Sequence, residues 1–531
     1  MEFITQPLLS QPGIQRDGTV FSSKHYIDGQ WVRFVNGRPR KMGGYKLIDR
    51  GQISFDLNGE TISGAVNKMF SVSKPGNFVN IYLGRAGGVS YLPISTDGIS
   101  DVEVNRTPPD LVVNKDNKWT FDLFTTQIDG QTISYICGHV CPNNTSISNN
   151  NKGKIYYGDT EDDNVLTFIK DIDGNPVEIS GGIVFMPPFL LAYGDNGAIY
   201  WSKPGEIDGW DVKNDYLIVS NTKLVKAVPA RSTSSTATKG NGSNPSIIVW
   251  SMDKLFLVYY TSLDNVNTFG YSDLSSNISI LAPESVVKYN EIYYWIGDSN
   301  FFVFNGSVSK LENTQNLDYF FNNVNYNYAS KIFGIVNKYD EIWWFYPSGD
   351  STECDSVIIY NVSQKIFYDT KLSRSSGVKP EKFSRIVLAD SATILTPTPL
   401  GATKTYPIWI HEFGFDKIVD QNVQSIKSSF TTHYINLFSE NPQNSKMINV
   451  KRLQPDFLLF GDMNVTVYFK NYPAETPQVL GPFPFSQMDH IIDDISCQAA
   501  LVSFKFESNS LEGYYEMGNT LLNFIPGATI K

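Results

Sequence analysis

The sequence predicts an all-β protein, a β-propeller with an additional β-sandwich-like platform formed by the two chain ends. Three observations predict it. Phe, Tyr and Trp reach 34, 29 and 9 copies among 531 residues, and aromatic side chains favour pleated, half-buried strands. Forty Gly and 27 Pro supply the turns between them. The third observation is a unit that returns: an aromatic-rich strand, a short Gly/Asp/Ser/Asn turn, and a second aromatic-rich strand.

The unit stands at "IYLGRAGGVSYL" (81–92), "LLAYGDNGAIYWS" (190–202), "IIVWSMDKLFLVYY" (247–260), "YYWIGDSNFFVFNG" (293–306) and "EIWWFYPSGDSTECDSVIIYN" (341–361). From 190 onward the starts lie 57, 46 and 48 residues apart. Four strands with their turns need about 40–50 residues, the size of one propeller blade. This places the propeller at 61–418; a β-sandwich with long insertions would use the same hairpins. One helix is expected within "NLDYFFNNVNYNYASKIF" (316–333), starting near Asn316 or Asp318. The polar tracts 141–154 and 230–246 read as exposed loops.

After residue 419 the texture changes to alternating strands, as in "INVKRLQPDFLLFGDMNVTVYFKNYP" (448–473) and in Val502, Phe504 and Phe506 of "ALVSFKFESNSLEGYYEMGNTLLNFIPG" (500–527). The first 50 residues resemble that texture more than they resemble the blades. The expectation is that 1–60 and 419–531 pair as one platform, closing the chain on itself.

Composition narrows the function classes. Four Cys are too few for a disulfide framework. "MEFITQPLLSQPGI" lacks the basic and apolar regions of a signal peptide. "GGIVFMPPFLLAY" is too short and too interrupted to span a membrane. A net charge of −11 and a pI near 5.1 argue against coating DNA, which takes Lys and Arg on phosphates. They leave open a surface past which DNA slides.

Chemistry-bearing motifs are sparse. Cys137, His139 and Cys141 of "CGHVC" could seed a zinc site but lack a fourth ligand, and in a strand they share one face, which suits packing. "DIDGN" (171–175) and "DTEDDN" (159–164) gather carboxylates without the longer pattern of a calcium loop, and Asp-Gly is ordinary turn chemistry. Asp493 and Asp494 are adjacent and would point to opposite faces of a strand. Trp210-Asp211 lacks the Gly-His partner of a WD repeat. Phosphate-loop and nucleophile-elbow motifs are absent. The expectation is no enzyme, no cofactor and no metal.

One stretch stands out. "GQWVRFVNGRPRKMGGY" (29–45) carries Arg33, Arg38, Arg40 and Lys41 and no acid. It reads as a hairpin turning at Asn36-Gly37, whose central residues need φ > 0, with Gly43-Gly44 bending the chain away. Trp31 and Phe34 fall on opposite strand faces, one for the core and one for a partner. Trp31, Arg33, Arg38, Arg40 and Lys41 are therefore the candidate partner interface, laid against the C-terminal sheet and facing an acidic neighbour. A solvated edge guarded by cations is the alternative.

"WVRFVNGRPRKMGGY" (31–45) resembles an N-terminal signature of tail proteins from short-tailed bacteriophages. "LLAYGDNGAIYWSKPGEIDGWD" (190–211) is similar to their blade hairpin. The layout of 309–369 is similar to their packaged-DNA stabilisation proteins, and "KRLQPDF" (451–457) with "FKFESNSLEGYYEMGNTLLNFIPG" (504–527) resembles their C-terminal sheet. The order of these four segments carries the resemblance; 95–150 and 225–246 have no counterpart. It implies a tail nozzle: a homo-oligomer, a hexameric ring in the virion tail, below the portal and adaptor, beside tail fibre or tailspike proteins. Genomic DNA would be retained and would exit through its channel without sequence-specific binding or contact with a membrane. An acidic or polar lumen would let the polyanion slip. A propeller-based receptor-binding or glycan-cleaving protein is the alternative, and a host-side binding propeller a third.

Overall fold

A computed structural model describes residues 3–8, 10–49, 55–57, 60–62, 64–96, 98–114, 116–142, 151–230, 245–261, 268–392, 394–398, 401–438, 446–493 and 495–529, with 55–57, 60–62, 394–398 and 401–404 as backbone only. The chain is nearly all-β, with 54% strand and 4% helix. Most of the tracts 141–154 and 230–246, and Asp494, lie outside the described residues.

Seven sheets follow one another between residues 66 and 424. The first holds Val66–Ser73, Phe78–Arg85, Gly88–Ser95 and Val104–Asn105, in that order. The second begins at Asn117–Ile128, the third at Gly182–Met186, the fourth at Leu224–Ala230, the fifth at Val287–Tyr289, the sixth at Phe333–Val336 and the seventh at Ser376–Val378. The first strands of the first four sheets adjoin in succession; the turn Pro283–Ser285 follows the fourth and leads into the fifth. The fifth adjoins the sixth, the sixth the seventh, and the seventh the first. The five hairpins legible in the sequence are the middle pairs of the first, third, fourth, fifth and sixth sheets.

Facing sheets bury each other on both sides, which is why their strands read as unbroken apolar runs. Every residue of Glu341–Tyr346 and Ser356–Asn361 is buried. Separate apolar cores fill the successive gaps: Tyr82 and Trp119 between the first and second sheets, Leu190 and Phe124 between the second and third, Leu191 and Phe256 between the third and fourth. Trp250 and Trp295 join the fourth to the fifth, Phe301 and Trp344 the fifth to the sixth, and Val387 and Leu83 the seventh to the first.

The seventh sheet borrows a strand. Its order is Ser376–Val378, Val387–Ala389, Ile408–His411, Tyr45–Asp49, Lys417–Val419 and Asn422–Gln424. Tyr45–Asp49 runs antiparallel to Ile408–His411. An N-terminal strand thus completes a sheet made otherwise from residues beyond 375, and the expected boundaries at 60 and 418 do not follow the strands.

Three further sheets mix the chain ends. Ile4–Pro7 lies beside Leu521–Thr529, Asp28–Gln30 beside Ser428–Thr431, and Arg38–Lys41 beside Tyr514–Met517. Their core holds Tyr26, Phe34, Phe430, Phe504 and Phe506. It is continuous with Trp343, Phe345 and Leu388 in the gap between the sixth and seventh sheets.

The helix expected in 316–333 is shorter, Leu317–Asn323, followed by the 3-10 turn Tyr326–Lys331. The Asn316 side chain makes no cap bond to it. Instead the Asp17 carboxylate accepts from the backbone amides of Asp318 and Tyr319, each at 2.8 Å. A residue 301 positions before Asp318 supplies the anion that a helix N-terminus favours.

Candidate interface at the basic hairpin

The hairpin is built as its residues dictate. Val32–Val35 pairs with Arg38–Lys41, and Asn36 and Gly37 take φ values of 51° and 78°, the two positive values a tight two-residue hairpin turn needs. Arg40 pairs with Glu516 across the ladder, so the hairpin lies on the C-terminal region.

Gly43 and Gly44 have a different job from the one the sequence suggests. Neither has positive φ. A Cβ on Gly44 would sit 2.1 Å from the carbonyl oxygen of Asp416, and one on Gly43 2.4 Å from Glu412 Oε2. The glycines let the loop 411–416 lie directly on the chain. Backbone atoms leave no room to yield, so Gly44→Ala should cost roughly 2–4 kcal/mol, read as a lowered melting temperature with folded-state circular dichroism retained.

The expected interface residues divide. Arg38 is 58% exposed and lies 3.7 Å from Glu516. Arg40 is half-buried, with its guanidinium over the ring of Tyr514. Trp31, Arg33 and Lys41 are only 2%, 2% and 1% exposed, so the expectation that they meet a neighbouring subunit is corrected. Both Trp31 and Phe34 are buried, because the strand is covered on one side by the platform core and on the other by the sixth and seventh sheets.

Trp31 adopts φ 57°, costly for so bulky a residue. Its amide donates to Thr370 Oγ1 and its carbonyl accepts from Ser428 Oγ, both at 2.9 Å, tying it to both halves of the molecule. The Lys41 ammonium is pushed down by burial and drawn partly back by Asp416.

Arg33 does meet acids, but those of its own chain. Nη1 donates to Glu412 Oε2 at 2.9 Å and Nη2 to Glu412 Oε1 at 2.5 Å. Nη2 also donates to Glu341 Oε2 at 3.1 Å, Nε lies 3.1 Å from Glu341 Oε1, and the guanidinium stacks 3.8 Å from the Tyr339 ring centre. Two carboxylates around one cation leave an excess negative charge. Donors absorb it: Trp343 Nε1 at 2.9 Å, the Tyr368 hydroxyl at 2.5 Å and the Asn337 amide all donate to Glu341. Glu412 is held at φ 61°. Sequence reasoning missed Glu341 and Glu412, although an acid inside each aromatic run, "DEIWWFY" and "IWIHEFGF", was the available signal.

Of the other motifs, the His139 Nε2 lies 2.9 Å from the Ile179 carbonyl oxygen, Cys137 packs in an apolar core, and Cys141 lies against Asn151. Burial keeps the His139 imidazole neutral, down to about 4. Asp171 closes its own turn by accepting from the amides of Asp173 and Asn175. Asp162 pairs with Arg106. Among the described residues no group of three His, Cys, Asp or Glu is placed to hold a metal.

A second charged cluster draws on the first strands of the first, second and fourth sheets and on the turn Pro283–Ser285. Glu284 accepts from both Lys68 and Lys226, and these ammonium groups hold it well below the usual carboxylate range despite burial. Asp122 nearby accepts from the amides of Phe185 at 2.7 Å and Leu123 at 2.8 Å, yet burial pushes it from 3.8 up to about 6. The unfolded chain ionises Asp122 first, so between about pH 4 and pH 6 the folded state binds more protons. This group's stabilisation is present below pH 4 and lost as pH rises through 6. Stability of Asp122→Asn relative to the unmutated chain should therefore rise with pH across that window; a flat difference in chemical-denaturation midpoints would contradict it.

No family model matches the chain, and no curated protein matches it. Among solved structures, it is similar to the exo-beta-1,3-galactanase of Phanerochaete chrysosporium with galactose, at 10% identity and a TM-score of 0.27 over 91% of this chain and 100% of that one. Prolyl oligopeptidase B from Galerina marginata gives 11% and 0.32 over 70% and 56%. BamB from Moraxella catarrhalis gives 10% and 0.26 over 74% and 97%. At these values the likenesses carry no activity, substrate or partner to this chain.

Proposed function

We propose that this chain is a structural subunit of a short phage tail, a nozzle that assembles as a ring and lets packaged DNA pass. In this reading the seven sheets form a closed seven-bladed propeller, and the platform made from both chain ends is its assembly face. The observation that carries the reading is the continuity between the two parts: one apolar core and the Arg33 clamp join platform to propeller. A ring subunit under axial load must keep its two parts fixed relative to each other, and a buried charge network with bidentate geometry does that better than apolar contact alone. The ordered resemblance of four segments to tail proteins supports the same reading.

Electron microscopy of the purified protein or the virion tests it: class averages should show a six-fold ring on the tail axis, and a persistent monomer at micromolar concentration would sink it. Arg38 and Arg40 are the hairpin cations left to meet a neighbour. Because an exposed ion pair contributes about 0–1 kcal/mol and a cation–π contact that keeps some solvent about 0.5–1 kcal/mol, Arg38→Ala with Arg40→Ala should lower the melting temperature only slightly while blocking ring assembly. Normal assembly with reduced DNA binding would make the hairpin a nucleic-acid contact instead.

A further inference from the structure

Net charge is unevenly spread along the chain. Residues 159–215 hold twelve acids and three lysines, a net −9 out of the −11 of the whole. Lys74, Arg106 and Lys223 take up Glu161, Asp162 and Asp195. Much of the remaining excess lies beside the edge strand of the third sheet, Tyr216–Ile218, where the loop 171–175 joins the loop 206–215 through a bridge between Asp171 and Trp210. These two loops hold six carboxylates against Lys213, with Lys170 and Lys203 flanking them. Asp173 pairs with Lys213, whereas Glu206, Asp208, Asp211 and Asp215 form no ion pair among the described residues. Burial first and Asp211 second push the Asp215 carboxyl up, against a smaller pull from Lys203. Tyr216, Ile218 and Ile172 are exposed among these acids, and apolar side chains on an open edge favour a partner.

The opposite balance stands at the turn of the basic hairpin. Gln364 Oε1 accepts from the Gly37 amide at 3.3 Å, and Gln364 Nε2 donates to the Phe34 carbonyl at 3.0 Å. This seats the loop 362–365 of the sixth sheet on the hairpin, and the Val362 amide holds the neighbouring loop through the Asp340 carbonyl at 2.9 Å. Lys338 and Lys365 are exposed there and form no ion pair among the described residues; with Arg38 and Arg40 they make four cations. The acids among them are Glu516, 3.7 Å from Arg38, and Asp340, which accepts the Tyr289 hydroxyl. Asp456, two strands away from Arg38, closes its own turn by accepting from the Asn519 amide. Leu458 and Phe460 add exposed apolar surface on the same sheet, paired across with Glu516 and with Tyr514, whose ring carries the Arg40 guanidinium.

We propose that these two patches join neighbouring copies of this chain: the hairpin patch of one copy, with Leu458 and Phe460, docks on the acidic edge of the third sheet of the next. The inference rests on the ring reading above and names its contact surfaces. Each patch offers exposed apolar side chains beside charges of one predominant sign, and the signs are opposite, which is the complementarity that selects and orients a partner. The loops 206–215 and 362–365 both connect a third strand to a fourth, so they fall at the same end of their sheets. The third sheet stands three steps from the sixth in the succession of adjoining sheets, as far apart as two of seven can be. Two different surfaces meeting head to tail make a heterologous contact, which closes into a ring when the rotation between copies permits.

Charge reversal in the full chain tests it, read by light scattering after gel filtration and by microscopy class averages. Arg38→Glu with Lys365→Glu reverses one patch, and Asp173→Lys with Glu206→Lys the other; all four side chains are exposed. Each variant alone should need at least about a hundredfold more protein to assemble, because like charges then face each other. Mixed in equal amounts the two variants should regain rings, since the reversed hairpin of one meets the reversed edge of the other, and the chain carrying all four reversals should assemble by itself. Arg38→Gln with Lys365→Gln should weaken assembly less than the reversal does, and it carries the test if the reversed chain does not fold. Where the unmutated chain forms rings, variants that assemble as it does, or that fail alone and are not rescued by mixing, overturn the pairing and leave the ring reading intact. Rescue in two-copy assemblies would keep the pairing and overturn the ring. An unmutated chain that stays monomeric would overturn both.

Discussion

Replacing Arg33 by Met should lower the stability of the folded chain by about 3–5 kcal/mol, the range found when one partner is removed from a buried ion pair. The reason is what remains. Glu341 and Glu412 are 0% and 7% exposed, and without the guanidinium they would face each other as unneutralised carboxylates. Water cannot reach them, and Trp343, Tyr368 and Asn337 solvate only Glu341. Arg33→Lys should be nearly as damaging, since a single ammonium cannot contact both carboxylates in the two-pronged geometry that the guanidinium spans. The triple variant Arg33→Met, Glu341→Gln, Glu412→Gln should recover much of the loss, because it removes the stranded charges together with the cation. Calorimetric melts check all three. A single variant that melts within a degree of the unmutated chain would mean that the clamp adds nothing to the joint between the chain-end sheets and the seven successive sheets.

The parts of this architecture that were legible in the sequence are the local ones. A hairpin needs only a turn and two strands close in sequence, so 81–92, 190–202, 247–260, 293–306 and 341–361 were readable as aromatic strand pairs. Asn36-Gly37 was readable because only a few residues accept positive φ at both turn positions. The second sheet escaped because its strands are the long pair Asn117–Ile128 and Gln131–Pro142, with the third strand beyond an interruption at 143–152. The seventh escaped because Val387–Ala389 and Ile408–His411 are split by the inserted pair Ile394–Thr398 and Gly401–Thr405, and because its next strand comes from residues 45–49. The candidate site failed for the same reason. Four cations close in sequence imply a surface, whereas Arg33 is buried by Glu341 and Glu412, more than 300 residues away. Nothing local to the hairpin encodes that pairing.

Deleting residues 1–49 should abolish soluble folded protein altogether, although the segment is under a tenth of the chain. Leu8, Ile14, Tyr26, Trp31, Val32, Phe34 and Met42 are all at most 2% exposed in the shared core. Burying one large apolar side chain contributes about 1.5–3 kcal/mol, so these seven together contribute on the order of 10–20 kcal/mol, as much as the entire net stability of a typical domain, about 5–15 kcal/mol. The backbone loss compounds it. Without Tyr45–Asp49, Ile408–His411 loses its antiparallel partner, and without Asp28–Gln30 and Arg38–Lys41, Ser428–Thr431 and Tyr514–Met517 lose theirs. Three strands would then present bare edges, which template aggregation. Gel filtration with near-ultraviolet circular dichroism should find the truncated chain in aggregates lacking fixed aromatic packing. If the seven sheets were self-sufficient, the truncated chain would stay monomeric and melt cooperatively, and the N-terminal strands would be an accessory of those sheets and not the element that completes them.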